Sequence, residues 1–421
     1  TDLVVYGITV GRGAGTDGNS VAVGASALSS ATTGTSNIAI GYTAARDNTT
    51  GKDIVAVGAA SLRSNISGVS NIAIGNVAMN SNTTGNYNTA VGSGIDGIIQ
   101  GALGLNTTGS NNVAMGYQAL LNNTTASNNT AVGYQALYSN TDTPNTAVGY
   151  QAGYSNTTGD FLVALGYKAG YGNTTGRFNT ALGSNALLTN TTSSENTAVG
   201  SSALKLVTGA GNTAVGTNAL GVATTGASNT GVGNNVLTRH TTGSNNVAFG
   251  VDALAYSTTA SNNTAVGYQA GYNITTGANS ACFGYISGTD AVRNITTNSN
   301  EIVMGNNSHT AAYIKIAWTV TSDARDKTSF ATVNHGLAFV NSLTPTAYQF
   351  RVSREDDTPT GMVRYGFKAQ DILAVEGSNP VIIDNSDPNN LKYNQDSMIA
   401  VLVNAIKELK AEFDSYKLTH P

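Results

Sequence analysis

The stretch "NTAVGYQAL" at 129–137 decides how this chain folds, because close variants of it return along most of the sequence. Its central glycine recurs at Gly24, Gly41, Gly58, Gly75, Gly92, Gly116, Gly133, Gly149, Gly166, Gly183, Gly200, Gly216, Gly233, Gly250, Gly267, Gly284 and Gly305. Twelve of the sixteen spacings are 17 residues, two are 16, and the exceptions are 24 and 21, a ladder that chance does not produce. Each unit sets a β-branched or aliphatic residue before the glycine (Val23, Ile40, Val132, Leu165). A small residue and an aliphatic follow three and four positions after it (Ala119 and Leu120, Ala136 and Leu137). Turns of the type "NTTG", at 82–85, 106–109 and 173–176, join the units, and their Asn and Gly are residues that tolerate positive φ. Units so rich in Gly, Thr and Asn lack the 3.6-residue apolar face of a helix. The pattern therefore predicts short strand, turn, short strand, turn, wound into stacked β-coils about 4.8 Å apart. Seventeen such coils would form a shaft on the order of 80 Å long.

Stacking places equivalent positions above one another. Ala and Gly columns then let backbones approach, while Val, Ile and Leu columns are expected to fill the core. Asn recurs four residues before the glycine (Asn37, Asn71, Asn88, Asn112, Asn129, Asn196, Asn246), which predicts a hydrogen-bonded Asn ladder. A lone solenoid this poor in large apolar residues is marginal, so three chains are expected to share one interior. After Gly92 residues 93–99 are inserted before Gln100, Gly101, Ala102 and Leu103 resume the phase. Such an insertion should loop outward as a tolerated surface loop, with a receptor-contacting protrusion as the alternative. Tyr117, Tyr134, Tyr150, Tyr167 and Tyr268 follow the glycine and are expected to pack between coils, the alternative being an outward glycan-binding stripe. The "NTAVG" and "NNVAMG" units resemble the head repeats of trimeric bacterial adhesins and of phage fibres, which form trimeric β-rolls; the resemblance covers about 20–305.

Composition changes near residue 320. Residues 1–320 hold 10 of the 20 Lys and Arg, 11 of the 24 acids and 45 of the 49 glycines, and the last 101 residues read as an ordinary charged domain. A net charge of −4 with no basic run lacks the footprint of a nucleic-acid binder. The single Cys282 excludes an intrachain disulfide framework and any multi-cysteine zinc site, and it occupies a small apolar repeat position, so it reads as packing. No apolar run approaches the ~20 residues of a membrane span and no signal peptide opens the chain, which disfavours a membrane-anchored adhesin.

Beyond Gly305, residues 312–320 look strand-like, with Tyr313, Ile314, Ile316 and Trp318. A short helix is expected at about 335–343, a strand at 346–351, an acidic turn at 355–357, a strand at 363–367 and a helix at 369–375. The last helix, 396–416, carries Ile399, Leu402, Ile406, Leu409, Phe413 and Tyr416 at alternating spacings of three and four, the seam of a coiled coil along which three copies could associate. Four ordered motifs, "SDARDK" at 322–327, "LTPTAYQF" at 343–350, "RYGFKAQDI" at 364–372 and "KYNQDSMIAVLVNAIKELK" at 392–410, resemble the C-terminal intramolecular chaperone domain of phage tail spikes and fibres, the self-cleaving endosialidase-type peptidase family. The match covers about 319–418. It implies a domain that trimerises, nucleates folding of the β-structured stalk and is released by cleavage just before the motif serine. It also implies Ser322 as nucleophile, Lys327 as base, the bond between Thr321 and Ser322 as the one cut, and Asp323 and Arg325 as supports of the turn. A serine needs a nearby base to become a nucleophile, and burial can free a lysine amine for that work. Asp326 departs from the family, which usually carries an apolar residue there; a carboxylate touching Lys327 would favour the charged ammonium.

The expected architecture is mainly β: a lead-in at 1–19, a trimeric stacked β-coil shaft at 20–305, a connector strand at 306–321, and a small α+β chaperone domain at 322–421 ending in a coiled-coil helix. The expected function is that of a homotrimeric tail fibre or spike in the virion tail, assembled in the host cytoplasm. Its expected partners are other virion tail proteins and a host cell-surface receptor, a glycan or an outer-membrane component. No nucleic acid, membrane insertion, cofactor or metal is implied. Enzymatic activity stays open, at most self-cleavage by a Ser-Lys dyad; an uncleaved trimerisation cap, with Ser322 capping a turn, is the alternative. A bacterial surface adhesin or a polysaccharide depolymerase are the other readings. For the latter His240 and His309 are isolated, and Asp47, Asp96, Asp142, Asp160 and Asp252 do not recur in register.

Overall fold

The computed structural model describes residues 3–5, 8–15, 19–95, 98–290, 293–309, 313, 322–351, 354, 356–378, 380–389 and 391–420. Two compact units divide the chain, Thr1–Gly305 and Asn306–Pro421. The connector expected at 306–321 falls largely on residues outside the described ones, Ile314, Ile316 and Trp318 among them.

The first unit is a β-solenoid with one 19-stranded sheet. Strands β1 (Leu3–Val5) and β2 (Ile8–Gly11) form an antiparallel hairpin, and β2 pairs antiparallel with β3 (Val21–Val23). The hairpin covers the edge of the first coil, which would otherwise offer unpaired N–H and C=O groups. From β3 to β19 (Ile302–Met304) every strand has three residues and runs parallel to the next, so that Ala39 lies on Ala56 and Ala56 on Ala73.

Each coil contains one strand, where the sequence suggests two. The other half is a turn in which the second and fourth residues after the glycine take positive φ, as at Gln118 (56°), Leu120 (52°), Gln135 (52°) and Leu137 (49°). That backbone still bonds from coil to coil: the Gln135 N–H donates to the Tyr117 carbonyl at 2.9 Å and the Leu137 N–H to the Ala152 carbonyl at 2.9 Å. A left-handed leucine costs about 1–2 kcal/mol. Complete burial of its side chain, worth about 1.5–3 kcal/mol, offsets the strain, and Leu120 and Leu137 are both fully buried.

The columns differ from expectation in one important respect. Alternation along a three-residue strand sends its centre one way and both neighbours the other. Alanine takes the centre and is fully buried at Ala39, Ala56, Ala73, Ala131 and Ala147. The aliphatic before the glycine therefore points outward, leaving Ile40 41%, Met115 42% and Leu182 43% exposed. The core is built from the alanine column and the leucines of the turn, and it runs unbroken from Ala22 to Val303 within one chain. A shared threefold interior is thus overturned: one chain encloses its own core, and what it leaves uncovered is an outer apolar column.

Two asparagine ladders line that core. In the expected one, four residues before the glycine, the side-chain carbonyl of each Asn accepts the backbone N–H of the next coil, as from Asn88 to Asn71 (2.9 Å) and from Asn129 to Asn112 (3.0 Å). The second occupies the first position of the "NTTG" turns, where Asn82 Nδ2 donates to Asn65 Oδ1 at 2.8 Å and Asn106 Nδ2 to Asn82 Oδ1 at 2.8 Å. Neither Asn82 nor Gly85 takes positive φ. The glycine is needed for close approach instead, since a Cβ on Gly85 would lie 2.3 Å from the Gly109 carbonyl oxygen. Buried amides of this kind are tolerated because most find partners in the adjoining coils; Asn123 Oδ1, Asn190 Oδ1 and Asn196 Nδ2 are buried without one among the described residues.

Volume is conserved where the leucine column fails. Gly153 and Gly170 replace leucine, and Leu162, standing in an asparagine position between them, fills the space: its methyl carbons lie 3.2 and 3.4 Å from where their Cβ atoms would sit. Gly271 and Ile274 repeat the exchange. Cys282 takes an alanine position and is fully buried, and burial pushes its thiol up to about 11, as expected of a packing cysteine. The insertion loops out as expected: Ile95 and Ile99 exchange two backbone hydrogen bonds at 2.6 and 2.7 Å, and Ala102 and Leu103 re-enter the core.

Outside, Tyr117, Tyr134, Tyr150 and Tyr167 stack face to face at 5.1–5.4 Å, so the expected packing between coils holds while one side of the stack stays open to solvent. Tyr268 stacks on Tyr285 in the same way. Arg177 grips Asp160 of the preceding coil through two bonds, 2.5 and 2.6 Å long, and holds its carboxyl below the usual carboxylate range. Asp160 contributes stability that is complete above the ordinary carboxylate value, about 4, and is lost as pH falls through its own lower one. Asp160→Asn is accordingly expected to lower the unfolding free energy by about 1 kcal/mol at pH 7. In denaturant titrations over a pH series, the difference from the unaltered chain should shrink below about pH 4.

The second unit is a small α+β body. It contains α1 (Leu337–Ser342), an antiparallel pair β20 (Thr346–Arg351) and β21 (Pro359–Gly366), α2 (Ala369–Glu376), a short pair β22 (Ile383–Asp384) and β23 (Lys392–Tyr393), and α3 (Gln395–Thr419). The second strand starts four residues earlier than expected because Arg351 pairs with Pro359. Phe339, Ile372, Ile382, Ile383, Met398 and Val401 form its core. Two carboxylates brace the loops. Glu376 accepts the backbone N–H groups of Val381, Ile382 and Ile383 at 2.6–2.9 Å, and Glu408 of α3 accepts the first N–H of α1, from Leu337, at 2.6 Å. On α3 only Met398, Val401 and Ala405 are buried. The expected seam residues Ile399, Leu402, Ile406, Leu409, Phe413 and Tyr416 all face solvent in the single chain.

Candidate functional site

The second unit opens on residues 322–327. Asp323 caps a single 3-10 turn, Ala324–Asp326, by accepting the Arg325 N–H at 2.9 Å, and the Lys327 N–H closes the turn on the Ala324 carbonyl at 3.2 Å. Asp323 also receives the Arg325 guanidinium at 2.5–3.1 Å, which holds its carboxyl below the usual range. The compact turn brings the ends of the hexapeptide together: Lys327 Nζ lies 2.6 Å from Ser322 Oγ, within hydrogen-bond reach for proton transfer in either direction. Ser322 and Lys327 are both exposed in the single chain. Thr321 and the side chain of Asp326 lie outside the described residues.

The shaft distributes its other titratable groups differently. His240 is fully buried in the second asparagine column. Its Nε2 meets the Gly243 carbonyl at 2.6 Å and its Nδ1 the Ser257 hydroxyl at 3.2 Å, and burial lowers its basicity, so it serves as a neutral ladder member. His309 bonds Asn306, and Asp47 pairs with Arg46 at 2.8 Å. Among the described residues no group of three or more His, Cys, Asp or Glu is placed to hold a metal ion. Likewise no described helix is long and apolar enough to cross a membrane. Sequence reasoning singled out Asp252 but passed over Arg239, Tyr256 and Tyr272, which the coil register gathers around it. Their one sequence signal is spacing close to the repeat.

Residues 322–381 match the family described as "Chaperone of endosialidase". No curated protein and no solved structure matches the chain significantly. The chain thus carries a domain matching the endosialidase-chaperone family behind a β-solenoid consistent with a repeat-fibre shaft.

Proposed function

We propose that this chain is one protomer of a homotrimeric tail fibre or spike of a virion, in which residues 322–421 drive assembly and shaft folding and then separate by cleavage between Thr321 and Ser322. The observation that carries this reading is the union in one chain of a repeat β-solenoid and a domain matching the endosialidase chaperone. Two uncovered apolar surfaces support it, the outer column of the shaft and the α3 seam. Three copies joined along both would remove them from water. The shaft then engages a host-surface receptor, while other tail proteins hold the fibre on the virion.

In this reading Ser322 Oγ adds to the Thr321 carbonyl carbon as its proton passes to Lys327. The C–N bond breaks, the proton returns to the departing Ser322 nitrogen, and an ester joins the two residues until water hydrolyses it to a Thr321 carboxylate and a free Ser322 hydroxyl. A lysine base works where water is excluded. Lys327 is exposed in the single chain, so the partner copies must supply that surrounding and cleavage follows assembly.

Expression of the whole chain, followed by denaturing gels and mass spectrometry, tests the cleavage. The expected result is a fragment beginning at Ser322, absent in Ser322→Ala, with full-length chain retained instead. Cleavage that persists in Ser322→Ala would remove the serine from this role, and an intact unaltered chain after trimer formation would remove self-cleavage altogether. Native mass spectrometry of the same samples reads the trimer.

A further inference from the structure

A cleft of about 460 Å³ opens on the shaft between the coils centred on Gly216 and Gly267, lined by Val222, Asn235, Thr238, Arg239, Asp252, Ala255, Tyr256 and Tyr272. Its origin is legible in the repeat. Five residues after the glycine, Tyr138, Tyr154 and Tyr171 stack on one another at 5.0–5.2 Å and fill that column. The same column holds Thr238 and Ala255 further along, then Tyr272, so two small residues leave a hollow that a tyrosine closes at one end.

Its walls differ in chemistry. Tyr256 and Tyr272 meet edge to face, with centroids 4.7 Å apart and planes at 67°. One face of Tyr256 is taken by the Arg239 guanidinium, 4.1 Å from the ring centroid, which fixes the direction of its fork. Arg239 has no carboxylate within ion-pair distance among the described residues, and Asp252 makes no side-chain hydrogen bond there. The cleft therefore offers an aromatic wall, a fixed set of N–H donors, a carboxylate acceptor and the Asn235 amide, with no net charge.

That combination excludes two ligand classes. A phosphate or another small anion gains from Arg239 but meets Asp252, and a flat base finds no pair of parallel rings to stack between. A pyranose fits both requirements: its C–H face packs on one aromatic ring, and its rim of hydroxyls both donates and accepts. We propose that this cleft binds a neutral pyranose unit of a saccharide, with Tyr272 under the ring and Arg239, Asp252 and Asn235 on its hydroxyls. The volume lies at the small end of ligand sites, room for one or two sugar rings. The inference rests on the attachment reading only for where such a saccharide is met, on a cell surface.

The test is saturation-transfer NMR on the full chain with methyl α-D-glucopyranoside, methyl α-D-galactopyranoside and N-acetylneuraminic acid. Transfer to at least one neutral glycoside is expected. Ala255→Tyr should abolish it by filling the hollow, in a column where the fold already accepts tyrosine at Tyr138, Tyr154 and Tyr171. Asp252→Asn, nearly isosteric and placed on the coil surface, should weaken binding about tenfold through loss of a charged acceptor. No transfer to either neutral glycoside, transfer to the acidic sugar alone, or transfer unchanged in both variants would overturn the assignment. Any of these results leaves trimer formation and cleavage, read by mass, untouched.

Discussion

Replacing Gly149 with alanine is expected to split the shaft at that coil. Gly149 has φ of +135°, a conformation that side-chain-bearing residues rarely adopt, and a Cβ there would lie 2.4 Å from the carbonyl oxygen of Gly166 and 2.7 Å from its carbon. Both are backbone atoms, and the oxygen accepts the Ala169 N–H at 3.3 Å within its own turn, so neither can swing aside as a flexible side chain would. Backbone strain and overlap together exceed about 4 kcal/mol. Because a solenoid is held by nearest-neighbour interfaces, the damage concentrates at one junction. Limited proteolysis should cut Gly149→Ala near residue 149 while coils far from it stay protected. Alanine at Gly221, a turn glycine without positive φ whose nearest contact from a Cβ would be 3.2 Å, should leave the pattern unchanged. Equal protease resistance of Gly149→Ala and the unaltered chain would mean that the coils do not stack through this glycine.

The second large effect is expected from the α3 seam. Ile406 is 66% and Leu409 53% exposed, on a helix whose inner face is already used by Met398, Val401 and Ala405. Changing both to aspartate removes two apolar contacts per chain and would bring like charges of three copies together in a dry seam, a loss of several kcal/mol per chain. The altered chain should emerge from native mass spectrometry as a monomer, or as aggregate through its uncovered shaft column, with no trimer. Its helical signal in far-ultraviolet circular dichroism should persist, since the residues that build the small core are unchanged. A trimer of normal stability in this variant would show that copies do not meet along α3. In the proposed reading the same variant also fails to cleave after Thr321, because assembly supplies the surroundings of Lys327.

The hexapeptide at 322–327 illustrates how much of a local arrangement the sequence can carry. Ser322 and Lys327 are five residues apart, and one Asp-capped turn suffices to set them 2.6 Å from each other. Long-range placement is harder to read. Glu376 and Glu408 look like ordinary surface acids, yet one gathers three N–H groups of a following loop and the other caps a helix some seventy residues earlier. No spacing rule announces either.

The 17-residue period, the glycine at its centre, the asparagine four places before it and the composition change near residue 320 determined by themselves that this is a coiled β shaft followed by a charged α+β domain. Each of these signals is local or strictly periodic, and periodicity survives without knowledge of any contact. Which column faces inward was decided only by the folded chain. Apolarity alone assigns the interior to the large aliphatics before the glycine, such as Ile40 and Val132, but a coil this tight favours a small residue, nearly always alanine, at its strand centre and turns the larger neighbours out. The left-handed leucines, the second asparagine ladder and the cleft around Tyr256 depend on how one coil rests on the next, and a single repeat read alone contains no trace of that neighbour.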